Sequence, residues 1–330
     1  MTLCVSWIRK VNDKEELIFA TDSCLSGGER WNSGVKLFEL PRKDCLISFA
    51  GETNRTYPLI LNLISSIKFD EHLSNSNTDI NEVLDYLSNL FTILCNSITD
   101  YGTQDFKDVL GDFNFLFGGY SWKESRFKLW ELKYNFATEA FVHDQVTEDG
   151  MFYSFIGDEL DKAKELLIKE INDNGKALSR DFDMEPFKVL LSMIREGDYD
   201  SISGAIQIAK IHPPGSTEFL GVYWPSIKGN KSFLGKDVSF DNNPNVNFID
   251  PDTASIVGEE LPEKLQEIDS DVYGINTKFV EDCYFIEEGS DCRILKLELT
   301  KRERLRLKTI FRDIAYARFI ESKQLEQEME

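Results

Sequence analysis

What the chain lacks narrows its function first. No uninterrupted apolar run approaches eighteen residues, so no segment qualifies as a membrane-spanning helix. The start, Met1-Thr2-Leu3-Cys4-Val5-Ser6-Trp7, has neither the basic lead nor the small-residue cleavage pattern of a signal peptide, and a cytoplasmic protein is expected. Positive charge is short: 37 Lys and Arg against 58 Asp and Glu give a formal net charge of -21, which argues against general binding to nucleic acid or an anionic membrane. Metal-ligating groups are sparse as well. His72, His143 and His212 are the only histidines, and Cys4, Cys24, Cys45, Cys95, Cys283 and Cys292 are scattered without a CxxC pair, so reduced structural thiols and no metal or cofactor are expected. Gly27-Gly28, Gly34 and Gly118-Gly119 form no phosphate loop or dinucleotide fingerprint, and Asp79, Asp85, Asp100, Asp105, Asp108 and Asp112 form no carboxylate metal motif.

What is present is material for a sizeable core, 42% hydrophobic residues over 330 positions. Apolar and β-branched runs at 3–8, 17–20, Val35-Lys36-Leu37-Phe38-Glu39-Leu40 and Cys45-Leu46-Ile47-Ser48-Phe49-Ala50 predict an N-terminal sheet with tight connections. Helical spacing follows from Thr56 to about Lys68 and over 80–98, with Asp79 as N-cap of the second helix. Strands are expected at 113–118, 126–132 and 151–156, a helix from Glu159 to about Ile171, and two further helices at Phe187 to Arg195 and Ile202 to Ile211. Composition changes after Pro213-Pro214-Gly215, which divides the chain into a domain at 1–212 and an extension at 213–330. In the extension, strand signals occur at 217–224, an acidic stretch at 259–270, a hairpin at 280–286 and 292–298, and a helix from Lys301 to Glu330. The strand-helix-strand-helix order is compatible with two packed sheets covered by helices, and periodicity alone does not distinguish that from another α+β fold.

Thr2 carries the sharpest chemical signal. If Met1 is removed, Thr2 holds a nucleophilic hydroxyl and a free amine that can act as its base, and no histidine is needed. Such a site requires a cation to favour the neutral amine, an acid to orient that cation, and donors for the developing oxyanion. Asp22, in Ala20-Thr21-Asp22-Ser23, and Lys36 meet beside Thr2 if their strands flank the first. Gly51, after the fourth strand, is free of a side chain and can offer its N–H to substrate.

With these pieces in order the chain resembles the proteasome β-type and bacterial proteasome-like peptidase family of N-terminal-nucleophile hydrolases. The matching residues are Thr2-Leu3-Cys4-Val5, Ala20-Thr21-Asp22-Ser23, Val35 to Leu40, Phe49-Ala50-Gly51-Glu52-Thr53, the strand pair Phe115-Leu116-Phe117-Gly118-Gly119 and Leu129-Trp130-Glu131-Leu132, and Asp200-Ser201-Ile202-Ser203-Gly204. The resemblance covers roughly 2–212. It implies a four-layer α-β-β-α sandwich, assembly of copies into rings or stacked rings, and a peptide or protein substrate with an unfoldase or regulator as partner. It further implies Thr2 as nucleophile, Lys36 tuning the amine, Asp22 orienting Lys36, Gly51 as oxyanion donor, and Asp200 and Ser203 organising the terminus.

The chain departs from this pattern at Ile156-Gly157-Asp158-Glu159, where Asp158 replaces the expected serine. Its charge either raises the amine pKa and opposes the base role, or it turns away to cap the helix starting near Glu159. Two readings follow: a threonine-type amidohydrolase acting through an acyl-enzyme, or a catalytically silent scaffold, assembly or regulatory subunit whose extension covers the cleft or recruits a partner. A defence or regulatory effector built on the same core is a third.

Overall fold

A computed structural model of the chain describes residues 2–11, 14–26, 29–98, 113–146, 152–175, 182–213, 215–238, 244–257, 277–286, 293–296 and 298–312. The acidic stretch 259–270, the hairpin turn 287–291 and the helix beyond 312 lie outside these residues. The chain separates into two compact units, Met1–Ser255 and Ile256–Glu330.

The first unit is a mixed α+β structure. Its strands are β1 (Leu3–Val11), β2 (Lys14–Thr21), β3 (Leu37–Glu39), β4 (Cys45–Ala50), β5 (Asn114–Ser121), β6 (Arg126–Asn135), β7 (Ala140–Gln145), β8 (Tyr153–Gly157), β9 (Gln207–His212), β10 (Ser216–Trp224), β11 (Asn230–Phe233), β12 (Lys236–Asp237) and β13 (Asn247–Asp250). One sheet runs in the order β12-β11-β10-β9-β2-β1-β8, with β13 added to β10 in parallel. The second runs β3-β4-β5-β6-β7, antiparallel throughout.

Alternation along these strands fixes which residues meet. Cys4, Leu17, Phe19, Ile156, Ala209 and Ile211 of the first sheet face Leu37, Leu46, Ala50, Leu116, Phe127 and Leu129 of the second, so the sheets close on each other over a shared apolar layer. The opposite face of the second sheet, with Ile47, Phe49, Phe115, Phe117, Trp130 and Phe141, is covered by α1 (Thr53–Phe69) and α2 (Ile80–Asn96). Both helices present apolar residues at three- and four-residue spacing, Leu59-Ile60-Leu63-Ile67 and Val83-Leu84-Leu87-Phe91. Asp79 caps α2, its side chain accepting from Asn81 N at 3.0 Å. On the outer face of the first sheet, α3 (Leu160–Asp173) packs on β8, and α4 (Glu185–Glu196) packs on α3, β1 and β2.

The segment Ile202 to Ile211, expected as a helix, contains β9 instead. Ile202, Ala205, Ile206 and Ala209 fit a helical stripe, but Gln207, Ala209 and Ile211 fit strand alternation equally well. Pairing with β2 on one side and β10 on the other settles the choice. The compact unit also extends past residue 212, because β10 to β13 continue the sheet that β9 belongs to.

In the second unit, Tyr284–Ile286 pairs antiparallel with Arg293–Leu295, and both pack with the helix Thr277–Asp282 around Cys283, Tyr284, Leu295 and Leu307. Residues 301–312 are helical, opened by a capping box in which Thr300 N donates to Glu303 Oε2 at 2.8 Å and Glu303 N donates to Thr300 Oγ1 at 3.3 Å. Among the described residues no helix is long and apolar enough to cross a membrane.

Candidate active site

At one end of the layer between the sheets the filling changes from apolar to polar, and Thr2, Asp22 and Lys36 meet there, all fully buried or nearly so. Thr2 immediately precedes β1, Asp22 follows the last residue of β2, and antiparallel pairing of Cys4 with Thr21 brings these two ends together. Lys36 lies just before β3, on the chain that crosses from the first sheet to the second. Its ammonium donates to Thr2 Oγ1 at 2.5 Å and to both Asp22 oxygens at 3.0 Å.

A lysine in a dry interior needs a counter-charge, and Asp22 supplies it within an ion pair shielded from solvent. Asp22 is itself held by backbone donors: Leu3 N to Oδ1 at 3.1 Å, and Cys24 N and Ser203 N to Oδ2 at 2.9 and 3.4 Å. Burial pushes the Asp22 carboxyl up from its ordinary pKa, opposed by Lys36 and these donors. The arrangement holds the Lys36 side-chain nitrogen on the Thr2 hydroxyl oxygen. Cys4 is no competing nucleophile. Its thiol donates to Thr21 Oγ1 and Phe49 O, each at 3.0 Å, and burial pushes its pKa up to about 12.

Asp158 faces Thr2 rather than the following helix. Thr2 N donates to Asp158 Oδ2 at 2.8 Å, Asp158 N returns a bond to Thr2 O at 2.8 Å, and no side chain caps the N-terminus of α3. The turn is tight enough to require Gly157, at φ 113°, since a Cβ there would lie 1.9 Å from Thr2 O and 3.0 Å from Ala50 Cβ. Gly51, at φ 111°, follows Ala50, the last residue of β4, whose Cβ lies 3.0 Å from that Cβ position.

The structure does not bring the side chains of Asp200 and Ser203 into this group. The Asp200 side chain is fully exposed and lies 3.7 Å from Arg30. The Ser203 hydroxyl accepts from Arg30 Nη2 at 2.9 Å and donates to Asn32 Oδ1 at 3.2 Å, while its backbone N–H is the part that reaches Asp22. Gln207, which the helical reading of 202–211 left without a role, enters the site's surroundings. Its buried amide bonds the backbone of Gly34 and Lys36. Gly235, in the turn between β11 and β12, lies behind it, with a Cβ position 2.4 Å from Ser23 Cβ and 3.4 Å from Gln207 Nε2. Among the described residues no group of three or more His, Cys, Asp or Glu is placed to hold a metal.

A buried threonine thus has its hydroxyl bonded by a carboxylate-paired lysine. No protein-family profile matches the chain, and no curated protein sequence matches it. Solved structures do resemble it. Anbu (ancestral beta-subunit) from Yersinia bercovieri shares 19% identity at a TM-score of 0.47, over 66% of this chain and 86% of that one. The Anbu complex of Pseudomonas aeruginosa, solved as a helical assembly, shares 17% at 0.48, over 64% and 81%. Anbu from Hyphomicrobium sp. strain MC1 shares 17% at 0.44, over 64% and 82%. The expected resemblance to the proteasome β-type and bacterial proteasome-like peptidase family is corrected by these matches, which are Anbu proteins. The motifs that suggested it describe a kind of site chemistry, and site chemistry does not identify a family. Function is therefore argued from the residues around Thr2.

Proposed function

We propose that this chain is an N-terminal-threonine amidohydrolase acting on a peptide bond, on the four-layer α-β-β-α sandwich of that enzyme class. The observation that carries the reading is Lys36 Nζ at 2.5 Å from Thr2 Oγ1 with its remaining hydrogens on Asp22. Removal of Met1 converts Thr2 N from an amide into an amine. That amine takes the hydroxyl proton as Oγ1 attacks the carbonyl carbon, and gives it to the leaving amine as the acyl-enzyme forms. Water then attacks the ester carbon, its proton passing to the same amine and from there to Thr2 Oγ1 as the ester C–O bond breaks and the acid product leaves. Lys36 stabilises the oxygen as it loses its proton, Asp22 holds Lys36 in place, and the Gly51 N–H is the oxyanion donor. On this reading copies of the chain associate so that the site is enclosed and substrates are selected by access.

The second reading, a silent scaffold, is favoured by Asp158. Its carboxylate sits 2.8 Å from Thr2 N, where it stabilises a charged amine that cannot accept a proton. Thr2 is also only 1% exposed.

Intact-mass measurement of the purified protein and labelling with a threonine-directed electrophile separate the two. A terminus beginning at Thr2, labelled covalently and unlabelled in Thr2→Ala, is the expected result. Full retention of Met1, or a free Thr2 that stays unlabelled across the pH range, would sink the hydrolase reading.

A further inference from the structure

The structure assigns Gln207 as the positioning residue of the site: its side-chain amide clamps the segment that carries Lys36 and so sets the distance from Lys36 Nζ to Thr2 Oγ1. Its functional meaning rests on the hydrolase reading, whereas the clamp itself rests on geometry alone.

Gln207 begins β9 and shares a face with Ala209 and Ile211, which line the apolar layer between the sheets. At the polar end of that layer it reaches across to the second sheet's leading segment. Its Oε1 accepts from Lys36 N at 3.0 Å, and its Nε2 donates to Gly34 O at 2.5 Å. One acceptor and one donor on a planar amide thus reproduce what a neighbouring strand would give to Gly34-Val35-Lys36, three residues that precede β3 and its ladder. The segment is tied on its other bonds too. Tyr57 OH donates to Val35 O at 3.0 Å and Phe49 N donates to Lys36 O at 3.3 Å. Gly34 passes close against Leu25, whose Cγ lies 2.2 Å from where a Cβ would be.

A lysine side chain has four rotatable bonds, so the place of its ammonium is only as well defined as its backbone and its end contacts. Asp22 fixes the charged end and Gln207 fixes the backbone end. Together they leave one position for Nζ, and a displacement of 1 Å at a reacting group lowers rate about 10²-fold. Gln207 touches neither Thr2 nor Asp22 in any bond described above, so it acts through Lys36 and is not a catalytic residue.

The test uses the full chain and two variants. Gln207→Leu removes both bonds, and Gln207→Glu keeps the acceptor while replacing the donor to Gly34 O. Reductive methylation followed by peptide mass spectrometry reads the protection of Lys36. Lys128 of β6, also buried and paired with Glu124 at 2.6 Å, is the internal control for general opening. We expect Lys36 to be methylated at least tenfold faster in Gln207→Leu, with Lys128 still protected, and a smaller gain in Gln207→Glu. Electrophile labelling of Thr2 should fall about tenfold to a hundredfold in step, with its pH profile displaced. If Lys36 stays protected in both variants, or Lys36 and Lys128 lose protection together in the near-isosteric Gln207→Glu, the assignment is overturned. Absence of Thr2 labelling in the parent protein, combined with selective exposure of Lys36 in the variants, would reject the hydrolase reading and leave the clamp standing.

Discussion

On the proposed hydrolase reading, the contact of Asp158 with Thr2 N governs how labelling of Thr2 depends on pH. Once Met1 is gone, the Thr2 amine occupies the place of an N–H now 2.8 Å from a carboxylate oxygen, while Lys36 lies on the neighbouring hydroxyl. The carboxylate favours the protonated amine and Lys36 disfavours it. Replacing Asp158 by Asn removes the first influence and keeps the second, so the amine pKa falls and more of it is neutral at a given pH. Each unit of that fall gives about tenfold more free amine on the acid side of the titration. The expected outcome for Asp158→Asn is faster Thr2 labelling at neutral pH and an acid limb moved to lower pH. An unmoved limb would mean that Asp158 does not face the amine in the processed chain. Thr2, Asp22 and Lys36 were legible as candidates from sequence because each sits at or beside a strand end, where a chain position translates directly into a place in the sheet. Asp158 was legible as a departure from a pattern, but only its bond to Thr2 N chose between the two roles open to it. Gln207 was not legible, since the run Gln207-Ile208-Ala209 is buried on both faces and such a run satisfies helical and extended periods alike.

Between elements, buried charge and mixed-charge clusters tie the parts that support the site. Arg42 and Asp44, on the turn between β3 and β4, form a bidentate pair at 2.6 and 2.9 Å, and the same guanidinium donates to Leu73 O at 3.0 Å and Thr78 O at 2.6 Å. The connection between α1 and α2 is thereby fastened to the second sheet. Arg42→Met leaves Asp44 and two carbonyls without their donor in a buried place, and we expect a loss of about 3–5 kcal/mol by denaturant unfolding. Across β2, β9 and β10 a second cluster is exposed enough to titrate. His212 bonds Glu16 at 3.2 Å and Glu218 at 2.7 Å, which raises its pKa from 6.5 to about 9. Burial alone would raise the two carboxylates, but bonding to His212 and the nearby Lys210 lowers Glu16 and Glu218 from 4.5 to about 2. The raised histidine contributes stability fully below 6.5 and loses it as pH rises through about 9. The lowered glutamates contribute above 4.5 and lose it as pH falls through about 2. A plateau of thermal stability between 4.5 and 6.5 follows. Because the histidine side chain is about a third exposed, its share after screening is on the order of 1–2 kcal/mol. His212→Gln should flatten the alkaline decline in melting temperature, and a decline of unchanged slope would show that other groups cause it.

At the scale of the whole molecule, the question is where the folding unit that holds the site ends. Composition placed the break after residue 212, because Pro213-Pro214-Gly215 is a strong punctuation and the residues beyond it are rich in Gly, Asn and Pro. In the structure β9 and β10 are antiparallel neighbours on either side of that break. Gly215 N donates to His212 O at 2.6 Å and β10 returns along β9 in register from Ser216 opposite His212. A turn and a linker share the same residue types, so the difference lies in the long-range pairing that local composition does not carry. Two consequences separate the alternatives. Ending the chain after His212 strips β9 of its neighbour and leaves a buried strand as an open edge. It also removes the turn at Gly235 that packs against Ser23 and against Gln207, whose amide bonds Lys36 N. Ending the chain after Ser255 keeps both. We therefore expect a 1–255 truncation to unfold cooperatively in denaturant with Lys36 protected from methylation, and a 1–212 truncation to lose cooperativity, Lys36 protection, or both. Equal behaviour of the two truncations, each folded and each with Lys36 shielded, would show that β10 to β13 are an addition to the site's scaffold and not a part of it.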